Sequence, residues 1–177
     1  MGRPKGEVVL GTSTLADRAA RALRPLVDTV LVSVSKGGAN PAPGYDTIED
    51  GPPAGRGPLA GIQAAMAATA EADLIVLACD YPGVEAPLLR AIVEAADATD
   101  DLVIVTDDRG RDHPLVALWR RGAEPMVREA LQDRHYKVRS LLAVLAVRRL
   151  RAEDLPGFDL DQVLVNVNAP EDLLDLA

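Results

Sequence analysis

Leu74-Ile75-Val76-Leu77-Ala78-Cys79-Asp80-Tyr81-Pro82 is the stretch on which the fold turns. Its apolar residues run without polar alternation, the pattern of a central strand covered on both faces, and the run stops abruptly at a carboxylate and a proline. Read this way, the strand delivers Asp80 at its C-terminal end.

Working outward, Pro58 to Ala70 holds no charged residue and starts with a proline where a first helical position tolerates one, which predicts a buried helix. Before it, Thr29 to Ser33 reads as a strand, Lys36 to Tyr45 as a Gly/Pro-rich loop and Thr47 to Asp50 as a short strand. Leu15, Ala19, Ala22, Leu23 and Leu26 share one helical face, and Thr14 with Asp17 fits a capping box. After the central strand, Leu88, Leu89, Ile92, Val93 and Ala96 form a helical stripe and Leu102 to Thr106 a strand. Asp107 to Pro114 then reads as a polar loop and Leu115 to Leu118 as a strand. Two further helices carry Met126, Val127, Ala130, Leu131 and then Val138, Leu141, Leu142, Leu145. Val163 to Val167 reads as the last strand, and Ala169-Pro170-Glu171-Asp172 opens a closing helix. Strands alternating with helices predict an α/β fold around a parallel sheet, with no linker or repeat to divide residues 1–177 into more than one domain.

Composition narrows the function. The net charge of −8 works against attraction to nucleic acid backbones, so an anionic ligand must meet a local positive cluster. Only Lys5, Lys36 and Lys137 are lysines among 19 basic residues, which makes a lysine at a special position noticeable. The lone Cys79 has no partner for a bridge, and without a secretory leader the chain reads as cytoplasmic. The apolar runs fall far short of the roughly 20 residues that a bilayer demands.

In open α/β sheets ligands bind outside the carboxyl ends of the strands. Asp80 there suits a hard cation such as Mg²⁺, or serves the turn at Tyr81-Pro82-Gly83. Gly55-Arg56-Gly57-Pro58-Leu59-Ala60-Gly61 brings backbone N–H groups and a helix N-terminus to an anion or a base edge, or is an ordinary flexible loop. Asn166 and Asn168, two residues apart, face one side of an extended strand; Asn168 fits an N-cap equally well. Arg109, Arg111, Asp112 and His113 read as a charged turn, and one histidine does not define a metal site.

Taken in order, Met1-Gly-Arg-Pro-Lys5, Gly57-Pro-Leu-Ala-Gly61, Ala78-Cys-Asp-Tyr-Pro82, Arg111-Asp-His-Pro114 and Asn166-Val-Asn-Ala-Pro-Glu-Asp-Leu173 resemble the molybdenum cofactor guanylyltransferases, also called molybdopterin-guanine dinucleotide synthases. The resemblance implies a three-layer, Rossmann-like nucleotidyltransferase fold with a mostly parallel central sheet. It also implies transfer of GMP from GTP to the terminal phosphate of molybdenum-bound molybdopterin, with release of pyrophosphate. On the matching positions it gives Lys5 and Asp80 the catalytic roles, Lys5 on the triphosphate and Asp80 on Mg²⁺. Ser33, Asp50, Gly57 and Gly61 fall to the nucleotide, and Arg111, His113, Asn166 and Asn168 to the pterin side. Related cytidylyltransferases lack the Gly-Pro-Leu-Ala-Gly wording and carry acids where this chain has Asn166 and Asn168, so guanine is the implied base. Molybdenum-insertion proteins and molybdoenzymes or their chaperones are the implied partners.

Two departures stand out. The family places a strand and a glycine-rich loop of the type Leu-Ala-Gly-Gly-x-x-x-Arg before its Met-Gly-x-x-Lys, whereas this sequence opens at that methionine. The expectation is an apolar groove with unpaired strand edges beside Leu74 to Cys79, and with it poor solubility or dimerisation. Ser33-Val34-Ser35 stands where the family tends to have an asparagine. Two other readings use the same residues: a nucleotidyltransferase for another phosphorylated small molecule such as phospholactate, and a non-catalytic pterin carrier.

Overall fold

The computed structural model describes residues 5–51, 57–69 and 72–167. The closing helix expected from Ala169 and the residue Asn168 lie outside the described residues, as does Gly55-Arg56.

A small antiparallel hairpin, β1 (Val9–Leu10) with β2 (Ser13–Thr14), leads into α1 (Leu15–Leu23). Thr14 is the expected N-cap, its hydroxyl accepting the Asp17 backbone N–H at 3.0 Å. The helix stops short of Leu26: Arg24 is its C-cap, still in helical geometry with its N–H on Ala20 C=O, and Pro25, which has no N–H to give, follows it. Then come β3 (Leu31–Val34) and β4 (Asp46–Glu49), paired in parallel with Ser33 beside Ile48. α2 (Pro58–Ala68) follows as the uncharged helix, with Pro58 in its first turn and six buried residues.

Four strands make the larger sheet. β5 (Leu74–Leu77), β6 (Leu102–Thr106), β7 (Asp112–Trp119) and β8 (Val147–Leu150) lie in the order β5-β7-β6-β8. β7 is antiparallel to both of its neighbours, and β6 and β8 are parallel, so β5, β6 and β8 all run one way. The sheet is thus mostly parallel, with one reversed strand. The reversal follows from the connection: residues 107–111 are too few for a parallel crossover and permit only a hairpin.

Helices cover both faces. Leu102 and Ile104 of β6 pack with Leu59 and Met66 of α2, with Val127 of α4 (Glu124–Gln132) and with Val138 of α5 (Val138–Leu141). Val103 and Val105 point the other way, against Leu88 and Ile92 of α3 (Ala86–Glu94) and Leu160 of α6 (Leu160–Val163). The result is the expected three layers, with every residue of β6 buried.

Several elements differ from the sequence reading. Leu74–Leu77 is not the central strand: it lies at one edge of the four-stranded sheet and is half-buried throughout, while β6 holds the centre of the core. β7 begins at Asp112, so Asp112, His113 and Pro114 belong to a strand rather than to a polar loop. The fifth helix is brief, Val138–Leu141, and the chain then enters β8, where Arg148 and Arg149 interrupt the apolar pattern that would mark a strand. Both arginines are paired, with Asp100 at 2.6 Å and Asp112 at 3.0 Å. Val163 to Val167 is not a strand either. Asp159 caps the short helix α6 and holds Val163 in it, leaving Val167 N–H to Asp80 C=O, 2.8 Å, as a backbone bond of this segment with the end of β5.

The groove is present. Among the described residues β3 pairs with β4 and β5 with β7, and their other edges face each other across a cavity of about 1170 Å³. Val30 to Ser35 form one wall and Leu74 to Cys79 the other, with Ala16, Ala20 and Leu23 of α1 and Ile62, Ala65 and Ala68 of α2 closing the remaining sides.

Candidate active site

The strand ends converge around the start of α2. Gly57 caps that helix at φ 80°, a left-handed geometry that glycine adopts without strain, and no side chain caps it. Four positions later, Gly61 must be a glycine for a different reason: a Cβ would meet Ser33 Oγ at 2.5 Å and Asp50 Oδ1 at 3.1 Å. Ser33 Oγ itself donates to Asp50 Oδ1. Ser33, Asp50 and Gly61, far apart in sequence and expected to face the nucleotide, therefore meet at the carboxyl ends of β3 and β4.

Asp80 lies just beyond β5. Lys5 Nζ is 3.3 Å from its Oδ2, and Oδ1 is buried with no hydrogen-bond partner among the described residues. A buried carboxylate oxygen without a donor is costly, and a bound cation relieves the cost. Among the described residues no group of three or more His, Cys, Asp or Glu side chains is arranged to hold a metal. The donor set fits a Mg²⁺-type ion that takes one protein carboxylate and completes its shell with water and phosphate oxygens.

The neighbours of Asp80 face different cavities. Cys79 lines the larger one described above; Tyr81 lines a second, of about 490 Å³, together with Arg111, His113, Tyr136, Lys137 and Arg139. Gly57, Pro58 and Leu115 belong to the walls of both. Burial and, after it, the adjacent Asp80 carboxylate push the Cys79 thiol up, which keeps it protonated and a poor nucleophile. Burial likewise pushes the Tyr81 phenol up.

His113 is 3% exposed. Its Nδ1 is 3.2 Å from the Tyr81 hydroxyl and its Nε2 3.1 Å from Asp107 Oδ2. Asp107 loses some preference for the charged form through burial, but the Arg111 and Arg109 backbone N–H groups and His113 outweigh this and hold its carboxyl below the usual range. Arg111 walls the smaller cavity. Asn166 lies in the segment that follows α6, next to Val167, and Asn168 lies outside the described residues.

Tyr81, Asp107, Lys137 and Arg139 were not singled out as site residues by the sequence reading. The signals were slight: an aromatic between Asp80 and Pro82, an acid closing the most buried strand, and one of three lysines directly before a helix.

No helix among the described residues is long and apolar enough to cross a membrane. Residues 1–152 match the family described as the MobA-like NTP transferase domain. The chain is 33% identical over 189 residues to a molybdenum cofactor guanylyltransferase of Sinorhizobium fredii, covering 98% of this chain and 83% of the relative. To the protein of the same name from Rhizobium rhizogenes it is 31% identical over 187 residues, covering 99% and 84%. Its fold superposes on the crystal structure of molybdopterin-guanine dinucleotide biosynthesis protein A from Archaeoglobus fulgidus with a TM-score of 0.78, at 25% identity over 98% of this chain and 89% of that one.

Proposed function

The chain belongs to the MobA-like NTP transferase family, and on that premise we propose that it transfers GMP from GTP to the terminal phosphate of molybdopterin, releasing pyrophosphate. The observation that carries the site assignment is the Lys5–Asp80 pair, with its unpartnered buried oxygen, between residues that wall two cavities.

A phosphate oxygen of the acceptor attacks the α-phosphorus of GTP; the bond from that phosphorus to the bridging oxygen breaks, and pyrophosphate departs with the electron pair. No side-chain nucleophile is needed, in keeping with a protonated Cys79. Ser33, Asp50 and the Gly57 to Gly61 turn face the nucleotide, where the absence of a side chain at Gly61 keeps the Ser33–Asp50 pair in place. Lys5 contributes a point charge to the triphosphate, and Asp80 would hold Mg²⁺, which when bound supplies further positive charge to the transferring phosphate. Arg111, His113 and Asn166 serve the acceptor side. There Arg111, with Lys137 and Arg139, supplies the local positive charge that an anionic pterin needs in a chain of net charge −8.

The test is pyrophosphate release with molybdopterin and each nucleoside triphosphate in turn, with and without Mg²⁺. GTP is expected to support turnover and CTP not to; release with CTP alone, or none with any triphosphate, would overturn the reading.

A further inference from the structure

Two arginines meet Asp112, the first residue of β7, and each finds a different part of it. The carboxylate takes Arg149 Nε at 3.0 Å on one oxygen and the hydroxyl of buried Thr106 at 2.8 Å on the other. Arg139 Nη2 instead donates to the Asp112 main-chain carbonyl at 3.2 Å. A carboxylate neutralises the guanidinium it pairs with, whereas a carbonyl is only a dipole: it orients a guanidinium and leaves the charge uncancelled. The two cations are also placed differently, for among the described residues Arg139 lines the smaller cavity and Arg149 does not.

Arg139 is anchored at both ends. Its backbone belongs to α5, whose Val138 and Leu141 are buried in the core. The carbonyl that receives it is fixed in the packed sheet by pairing of Asp112 with Thr106 and by the ion pair to β8. A side chain held this way gives up little freedom when a ligand arrives. Arg111 walls the same cavity, and Asp112, whose carboxylate is already engaged, is the one acid among the described lining residues. Tyr81, which follows Asp80, lines it too, and Gly57 and Pro58 join it to the nucleotide side.

We propose that Arg139 binds the phosphate group of the acceptor, held ready for it by the Asp112 carbonyl. The inference rests on the transfer reaction proposed above and adds a phosphate-reading residue to its acceptor side. A guanidinium carries five N–H donors in a planar fork that matches two phosphate oxygens, and the carbonyl engages one of them.

The test is calorimetric binding of molybdopterin without GTP, set against the same pterin with its phosphate removed. Arg139 is exposed, so its variants are expected to fold as the parent does. Arg139→Gln should weaken molybdopterin about tenfold, the low end for a hydrogen bond to a charged group, and leave the dephosphorylated pterin unaffected. Arg139→Lys, which keeps the charge and loses the fork, should recover part of that loss. In turnover, Arg139→Gln should raise KM for the acceptor while KM for GTP stays the same. Equal losses for both pterins, unchanged affinity for molybdopterin, or full recovery by lysine would overturn the proposal. A parent protein that binds molybdopterin yet releases no pyrophosphate would overturn the transferase reading instead, and the two pterins would still decide the role of Arg139.

Discussion

In the four-stranded sheet every residue of β6 is buried, whereas β4 of the two-stranded sheet leaves Asp46, Thr47 and Glu49 exposed and β3 exposes Ser33. One sheet has helices on both faces and apolar clusters on each; the other borders an open cavity along one edge. The candidate site draws on both. Asp80, Asp107 and His113 stand on the packed sheet, and Ser33 and Asp50 on the thin one. Rigidity is thus concentrated on the side proposed to hold the cation and the acceptor, and freedom to adjust on the side proposed to admit the nucleotide.

The sharpest test of that contrast removes a single carboxylate from the packed side. Asp80→Ala should cost about a thousandfold in pyrophosphate release, the upper range for one electrostatic group, with the melting temperature unchanged. A large fall in melting temperature would make Asp80 structural. Next in size is a matched pair of core truncations followed by chemical denaturation. Ile104→Ala, fully buried, should cost about 2 to 5 kcal/mol, and Val32→Ala, on the cavity wall, well under that. Equal costs would dissolve the distinction between the sheets. On the thin side, Gly61→Ala would force Ser33 and Asp50 apart and should raise the dissociation constant for GTP about tenfold, equivalent to about 1.4 kcal/mol, by calorimetry. Unaltered affinity would detach Gly61 from the nucleotide.

The smallest effect is one of pH. Asp107 and Asp100 have carboxyls held below the usual range, so the stability they contribute is whole above about pH 4 and is lost as pH falls through their lower folded values. Asp107→Asn should therefore lower the melting temperature at neutral pH, with the difference from the parent shrinking toward pH 2. A difference constant across that range would mean that charge at Asp107 is not what stabilises the packed side.

Much of this was legible from the residues. The uncharged run after Pro58, the Thr14 cap and the apolar Leu102 to Thr106 each state their structure locally, because burial and capping leave marks within a few positions. Strand direction and order leave no such mark. Leu74 to Leu77 reads as central, and only the pairing of β7 with it and with β6 moves it to an edge. β8 was hidden for another reason: Arg148 and Arg149 look like surface charge until Asp100 and Asp112, distant in sequence, neutralise them. At the site, Asp80 was visible because a carboxylate ends an apolar run. The Ser33–Asp50–Gly61 contact and the partners of His113 arise from tertiary approach alone.

Gly57, Pro58 and Leu115 wall both cavities, so the start of α2 is a partition with one compartment on each side. Under the proposed transfer, two substrates that meet at this partition are held at the same time, and neither needs to leave before the other reacts. The kinetic signature of that arrangement is a ternary complex. Initial-rate lines for GTP at several acceptor concentrations would intersect, and the parallel lines of a double-displacement enzyme, which parks the nucleotide on a side chain, would not be seen.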